Sequence, residues 1–360
     1  MKRSTPEGLV VLNSKIELGQ FYTRTNPFAH PRFVEWLRGI PTVSKLKFVE
    51  PFAGSNSIIK MVIETFPEIS TEAWSAFDIS PEAQESNLVP AVSLAKRDTL
   101  QDFPTGFDVC ITNPPYLAKN SATRRGSQVE FENYQDLFEI SLDRMLSRVP
   151  YIAAIIPESF ITRGLFQDRL DFVISLNLEM FDDTEFPVCL AVFSKESSTD
   201  FEIWRGDLRL GTQQELEANV EELLHQVQPR VFQFNNPVGV LGLTAIDNTT
   251  SATIRFRTGG DIESRKIKGT SRSATRISSP ILEGNPHKLE EIIIRSNEIL
   301  NDYRETTQDV FLTSFKGLRE DGKYRRRLDW QTASRILGTA IAEVLPESRG
   351  QILNSPRLFG

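Results

Sequence analysis

Cysteine is almost missing from this 360-residue chain: only Cys110 and Cys189 occur, both in apolar, strand-like runs. That argues against a disulfide framework and against a cysteine zinc site. The three histidines, His30, His225 and His287, are scattered without metal-ligand spacing, so no metal is expected. Long apolar runs are also missing, and none approaches the roughly 20 residues that span a bilayer. The opening MKRSTPEG has no apolar core of the signal-peptide kind, and a cytoplasmic protein without a membrane partner is expected. There is no internal repeat and no low-complexity tract. Positive charge is in deficit, with a net charge of −7. An acidic total still permits a nucleic-acid partner if the basic residues gather on one face.

What is present is a soluble composition, 39% hydrophobic and 25% charged, enough for one large or two medium domains. LKFVEPFAGSN reads as a buried strand running into a glycine turn, followed by helical spacing in SIIKMVIETF. SAFDIS is a short strand ending at Asp78. Ser80 and Pro81 then supply an N-cap and a first helical position for SPEAQESNL. FDVCITNPPY is an apolar strand stopped by two prolines, and 131–149 carries an amphipathic helix pattern. YIAAIIP and CLAVFSK are apolar on both faces, as in a sheet covered by helices on both sides. This alternation predicts an α/β, doubly wound, Rossmann-like sheet. It fades near residue 200, which predicts one domain over 1–205 and a second over 206–360. One helix, PHKLEEIIIRSNEILNDY, is expected in the latter.

The sharpest motif is Asn113-Pro114-Pro115-Tyr116 at a strand end. Ligands of open α/β sheets bind outside the carboxyl ends of the strands. Two prolines fix two φ angles and remove two donors, so Asn113 is presented rigidly. Its side-chain oxygen and the Pro114 carbonyl then aim outward as two acceptors. That pair suits an aromatic exocyclic amine, whose lone pair is tied up in the ring. Accepting from both N–H groups favours a tetrahedral nitrogen and frees the lone pair, most of all in the transition state. Tyr116 offers a flat face for stacking a base. NPP alone is a common turn former; the apolar strand before it and the tyrosine after it favour the chemical reading.

Glu50-Pro51-Phe52-Ala53-Gly54-Ser55-Asn56 follows the first strand. A tight turn there lets a ligand approach backbone and helix N-terminus. Glu50 is placed to hold a cationic amino group, Asp78 to accept from a ribose hydroxyl pair, and Asp98 to meet an adenine amino group. Any one of these acids would pass for a cap or a surface carboxylate. Three at successive strand ends, in order before NPPY, are harder to dismiss.

In this order of motifs the chain resembles the gamma class of adenine-N6 DNA methyltransferases over about residues 18–207. The resemblance implies S-adenosylmethionine as cofactor. It implies a segment before the first strand, Gly19-Gln20-Phe21-Tyr22-Thr23, whose Tyr22 and Thr23 touch that cofactor. Glu50, Pro51, Phe52, Gly54, Asp78, Ile79, Asp98, Asn113 and Phe138 complete the implied cofactor set. Asn113, Pro114, Pro115 and Tyr116 form the implied catalytic set, with Phe186 packing against a flipped base. Phe186 is one of 24 phenylalanines, and core packing is the plain alternative. The family turn usually has a second glycine where this chain has Asn56, a residue that tolerates left-handed angles.

A C-terminal DNA-recognition domain is also implied. Residues 251–330 hold 16 Lys and Arg against 12 Asp and Glu. Arg255, Arg257, Arg265, Lys266, Lys268, Arg272 and Arg276 are interleaved with Ser, Thr and Gly, which suits phosphates and base edges. Of these, Arg255, Arg257, Lys266, Lys268, Arg272 and Arg276 are the expected DNA-binding set. A second cluster is Lys323, Arg325, Arg326 and Arg327. The implied partners are double-stranded DNA, acted on by a monomer, and a companion restriction endonuclease of the same site. Two other methyltransferase substrates share NPPY: a protein glutamine amide and RNA. The glutamine enzymes normally carry their extra domain before the core, whereas here about 150 residues follow it. A third alternative is an inactive nucleic-acid-binding module on the same scaffold.

Overall fold

The computed structural model describes residues 26–80, 87–124, 131, 133–176 and 187–353, the side chain of Lys266 excepted. Backbone contacts divide the chain into two units, Met1–Arg209 and Leu210–Gly360.

Among the described residues, the first unit is built on a mixed sheet of nine strands, the last of which, Leu208–Thr212, runs across the division at residues 209 and 210. In chain order its strands are β1 (Phe48–Glu50), β2 (Trp74–Asp78), β3 (Leu94–Lys96), β4 (Val109–Thr112), β5 (Tyr151–Pro157), β6 (Leu170–Leu176), β7 (Val188–Phe193), β8 (Glu202–Arg205) and β9 (Leu208–Thr212). They lie in the order β3-β2-β1-β4-β5-β7-β6-β8-β9. β3, β2, β1, β4 and β5 run parallel. β7 is reversed against both β5 and β6. Chain length explains the reversal: eleven residues separate β6 from β7. A parallel crossover needs a dozen or more.

Central strands are apolar on both faces because each face meets helices. Phe48, Val109, Ile111, Ala153 and Ile155 pack with Phe33 and Leu37 of helix α1 (Pro31–Gly39) and Ile59 and Val62 of α2 (Ser57–Thr65). On the opposite face Cys110 lies 3.3 Å, sulfur to sulfur, from Met145. Met145 belongs to α4 (Leu137–Leu146), which follows the short α3 (Lys119–Arg124). The pattern at 131–149 suggested an earlier start for α4. Asp136 sets it instead, in extended conformation, its carboxylate accepting from the Phe138 N–H. Most of the helix expected after Ser80 lies outside the described residues. Between β1 and β4 the strand order changes direction, the switch point at which α/β sheets bind ligands.

The second unit opens with α5 (Gln213–Leu223), entered through a Thr212–Glu215 capping box. Strands β10 (Gln233–Phe234), β11 (Leu241–Thr244), β12 (Arg255–Thr258) and β13 (Ala274–Ser278) form an antiparallel sheet in the order β10-β13-β11-β12. β14 (Thr313–Leu318) and β15 (Tyr324–Arg327) pair as a hairpin, joined to the end of β11 by a bridge between Ile246 and Arg327. Helix α6 (Pro280–Gly284) leads to α7 (Leu289–Thr307), the helix expected from 286 onward. Pro286–Lys288 form a 3-10 turn before α7. With α8 (Trp330–Val344), α7 covers the apolar side of the sheet: Ile292, Ile299 and Tyr303 pack with Leu241, Leu243 and Phe256. Asn297 of α7 exchanges two hydrogen bonds with the Phe256 backbone, occupying part of the β12 edge. The polar heart of this unit is Asp247, fully buried, bonded by Arg304 at 3.1 and 3.0 Å and by Arg319 at 3.1 Å.

Candidate active site

The site grows from the turn that follows β1. Gly54 and Asn56 both adopt positive φ, 50° and 60°. Asparagine therefore takes the left-handed position in place of a second glycine, next to the start of α2. Strand ends on both sides staple this turn. The Gly54 N–H donates to Asp78 Oδ2 at 2.8 Å, and the Ser80 N–H donates to Asp78 Oδ1 at 2.7 Å. Thr99 Oγ1 donates to the Pro51 carbonyl at 2.8 Å. Thr112 Oγ1 donates to Glu50 Oε1 at 2.5 Å, and the Phe52 N–H donates to the same oxygen at 3.0 Å. Glu50, Asp78, the neighbour of Asp98 and the neighbour of Asn113 are thus joined through one turn.

Two acceptors in that turn have no partner among the described residues. Glu50 is fully buried, and its Oε2 has no hydrogen-bond partner among the described residues. Asn56 is equally buried; its Nδ2 donates to Asn87 Oδ1 at 2.8 Å, while its Oδ1 has no partner among the described residues. Orphaned buried acceptors are rare in folded proteins and call for a donor. Burial raises the Glu50 carboxyl to about 8, against the pull of Thr112 and Phe52. A ligand ammonium, with three N–H donors and a positive charge, matches this pair of acceptors.

Asp78 has 6% of its surface exposed, and Ile79 beside it is an exposed apolar side chain. Phe52 is half-buried. Asp98 accepts from the Leu100 N–H at 3.1 Å and from Gln101 Nε2 at 2.9 Å, so its carboxylate caps the following turn. Phe138 keeps only 1% of its surface exposed and supports the site from within the protein. Tyr22, Thr23 and Phe186 lie outside the described residues.

NPPY leaves β4 as expected, but the Asn113 oxygen is not simply presented outward. The Tyr116 hydroxyl sits in hydrogen-bond contact with Asn113 Oδ1 and donates to the Ile155 carbonyl at 2.5 Å. Burial drives the Tyr116 phenol well above its ordinary pKa, so it remains a donor. The segment after NPPY is tied down by a residue that sequence reasoning missed. Asp136 Oδ1 accepts from the Leu117 N–H at 3.0 Å while capping α4. The capping position before LFEISL was the available signal.

In the second unit Arg255, Lys268 and Arg272 are exposed and Arg257 is half-buried. Arg276 is committed internally: it donates to the Ile262 carbonyl at 2.8 and 2.6 Å and to the Pro237 carbonyl at 2.8 Å. The Lys266 side chain is outside the described set. Among the described residues no group of three His, Cys, Asp or Glu converges as metal ligands, and no helix is long and apolar enough to cross a membrane.

The first unit has a Rossmann-like mixed sheet in which the strand order changes direction between β1 and β4. No protein-family profile matches the chain, and no curated protein sequence does. Among solved structures it is similar to a candidate class I S-adenosylmethionine-dependent methyltransferase from Listeria monocytogenes. That match has 14% identity and a TM-score of 0.40, over 56% of this chain and 71% of that one. It is also similar to the methyltransferase subunit of a type I restriction-modification system from Streptococcus thermophilus. There the identity is 17% and the TM-score 0.41, over 60% of this chain and 55% of that one. A third similar structure is the type IIG restriction endonuclease BpuSI. It shows 14% identity and a TM-score of 0.40, over 94% of this chain and 48% of that one. The aligned region thus spans about half the length of the latter two proteins.

Proposed function

We propose that this chain is an S-adenosylmethionine-dependent methyltransferase that acts on the exocyclic N6 of adenine in DNA, as the modification enzyme of a restriction-modification system. The observation that carries the proposal is the Glu50 carboxylate. One oxygen holds Thr112, the residue before Asn113, and the other is buried without a partner among the described residues. Cofactor pocket and amine-binding motif are thereby built on one side chain.

S-adenosylmethionine, when bound, supplies an electrophilic methyl group. Glu50 and Asn56 would hold its ammonium end, Asp78 its ribose hydroxyls, and Ile79 and Phe52 its purine. An adenine within a duplex must leave the stack to reach NPPY. Its N6 hydrogens then bond Asn113 Oδ1 and the Pro114 carbonyl, and the Tyr116 hydroxyl gives up its contact with Asn113. The Tyr116 ring stacks on the base, and Phe186 packs at its other side. The amine itself attacks, so no covalent enzyme intermediate is required. Asn113 and Pro114 polarise the N–H bonds without taking the proton, which passes to water.

Units 1–205 and 206–360 are assigned catalysis and DNA recognition, with Arg255, Arg257, Lys268 and Arg272 as phosphate or base contacts. Incubating the protein with labelled S-adenosylmethionine and plasmid DNA, followed by nucleoside analysis, tests the proposal. N6-methyladenine supports it; methylcytosine, or label only in RNA or protein, refutes it.

A further inference from the structure

Sheet register gathers several arginines of the second unit on one face, and their hydrogen bonds separate those that brace the unit from those that face outward. On β12 and β13, Arg257 and Arg276 both pair with Gly242, and Arg255 and Ala274 both pair with Thr244. Paired positions share a face, so Arg255, Arg257 and Arg276 lie on the face opposite Leu241, Leu243 and Phe256. That face is continuous with the hairpin, because Ile246, two residues beyond Thr244, bridges to Arg327. Arg272 lies two residues before Ala274 and is exposed. Burial and then the nearby Arg272 hold Arg327 below the usual arginine pKa; burial and then Arg255 do the same to Arg257. The two basic clusters, about fifty residues apart in sequence, therefore form one surface.

Several arginines near it are spoken for. Arg304 and Arg319 pair with Asp247, Arg276 braces two loops, and Arg325 donates to the Asp247 carbonyl at 2.8 Å. Arg255, Arg257, Arg272 and Arg327 have no salt-bridge partner among the described residues, and the Arg257 Nε lacks any hydrogen-bond partner there. Asp261 acts on Arg257 and Asp329 on Arg327 without closing an ion pair; four arginines against these two carboxylates leave net positive charge that favours an anion.

One edge of this surface is a rigid loop. Arg276 donates to the Pro237 carbonyl at 2.8 Å, and Asn235 Nδ2 donates to the Gly269 and Ser271 carbonyls at 3.1 and 3.2 Å. Asn236 Nδ2 donates to Ser278 Oγ at 2.7 Å. A Cβ on Gly239 would fall 2.6 Å from the Ile277 backbone, so only glycine permits this approach. The braced loop holds Val238 with 80% of its surface exposed.

We propose that this face docks duplex DNA, with Arg255, Arg257, Arg272 and Arg327 neutralising phosphates and Val238 pressing as an apolar wedge against a base step. The proposal rests on the DNA reading above. Neutralising a phosphate contributes about 0.9 to the slope of log affinity against log salt. Apolar wedges at base steps are a recurring device of DNA-bending proteins.

Methyl transfer by the wild-type protein is first mapped on plasmid DNA, and a 30-base-pair duplex carrying the mapped site is the probe. If the wild type methylates no DNA, the functional reading fails. Given wild-type methylation, the combined Arg255→Gln, Arg257→Gln, Arg272→Gln and Arg327→Gln variant should lose about three to four units of salt slope. It should keep its thermal melt and its S-adenosylmethionine affinity. Val238→Ser should keep the slope and bind the mapped duplex about three- to tenfold more weakly. An unchanged slope in the fourfold variant overturns the phosphate assignment. Unchanged affinity in Val238→Ser overturns the wedge, and tighter binding of an equal-length RNA duplex overturns DNA as the occupant.

Discussion

Buried carboxylates do different jobs in the two units. In the C-terminal unit Asp247 is buried and answered by two guanidiniums, Arg304 and Arg319, which are themselves paired again with Asp309 and Asp321. Arg304 and the Thr253 and Ile254 N–H groups hold the Asp247 carboxyl below its ordinary pKa, against the cost of burial. In the N-terminal unit Glu50 is just as buried, yet it has no cation beside it among the described residues and stands at about 8. A paired buried charge holds a fold together; a buried carboxylate left half-answered among the described residues is poised for something that binds. The same side-chain chemistry thus marks structure in one unit and, on the proposed reading, a binding site in the other.

Mutation should separate the two roles. The largest effect on turnover belongs to Asn113→Ala, which removes a transition-state acceptor and should cut methyl transfer by about 10²–10³-fold without changing the melt. Asp247→Asn should do the reverse. Leaving Arg304 and Arg319 without their buried partner should cost about 3–5 kcal/mol of stability, read by denaturant titration, while cofactor affinity in the surviving folded protein stays at the wild-type value. Loss of cofactor affinity in that variant would erase the distinction.

Glu50 sharpens the comparison through pH. In the free protein its carboxyl is protonated below about 8. Binding an ammonium requires the carboxylate, so binding releases a proton at pH 6–7 and affinity rises as pH climbs toward 8. The raised value also means that Glu50 costs the free protein stability progressively as pH rises from 4.5 to about 8. Calorimetry in buffers of different ionisation enthalpy should detect proton release in the wild type and none in Glu50→Gln. Asp78→Ala should weaken cofactor binding by about 1–3 kcal/mol. Tyr116→Phe should have the smallest effect: the ring remains, and the hydroxyl that contacts Asn113 Oδ1 is gone. Turnover should stay within a few-fold of wild type, and a loss as large as that of Asn113→Ala would show that the hydroxyl takes part in the chemistry.

Much of the first unit was legible because apolar strands, a glycine turn and strand-end acids are local patterns. LKFVEPFAGSN and FDVCITNPPY fall on β1, β4 and their turns. The reversal of β7 was not legible, since an apolar run carries no direction; only the short connection from β6 reports it. The Thr112–Glu50 bond and the Asp136 staple join residues 62 and 19 positions apart, which no local pattern announces. Arginine counting could not separate Arg276, a brace, from Arg255, an outward charge: both lie on one face of the sheet, and only the Ile262 and Pro237 carbonyls, brought in by distant loops, commit Arg276 internally. Strand register merges two basic clusters that look separate along the chain.

The central claim is that the half-answered Glu50 and the NPPY turn together serve methyl transfer to adenine. Its most direct test is digestion of DNA after incubation with labelled S-adenosylmethionine, comparing wild type with Asn113→Ala. The account predicts labelled N6-methyladenine from the wild type and a loss of about 10²–10³-fold in the variant. Label in cytosine, no label in DNA, or an Asn113→Ala rate equal to wild type would contradict it.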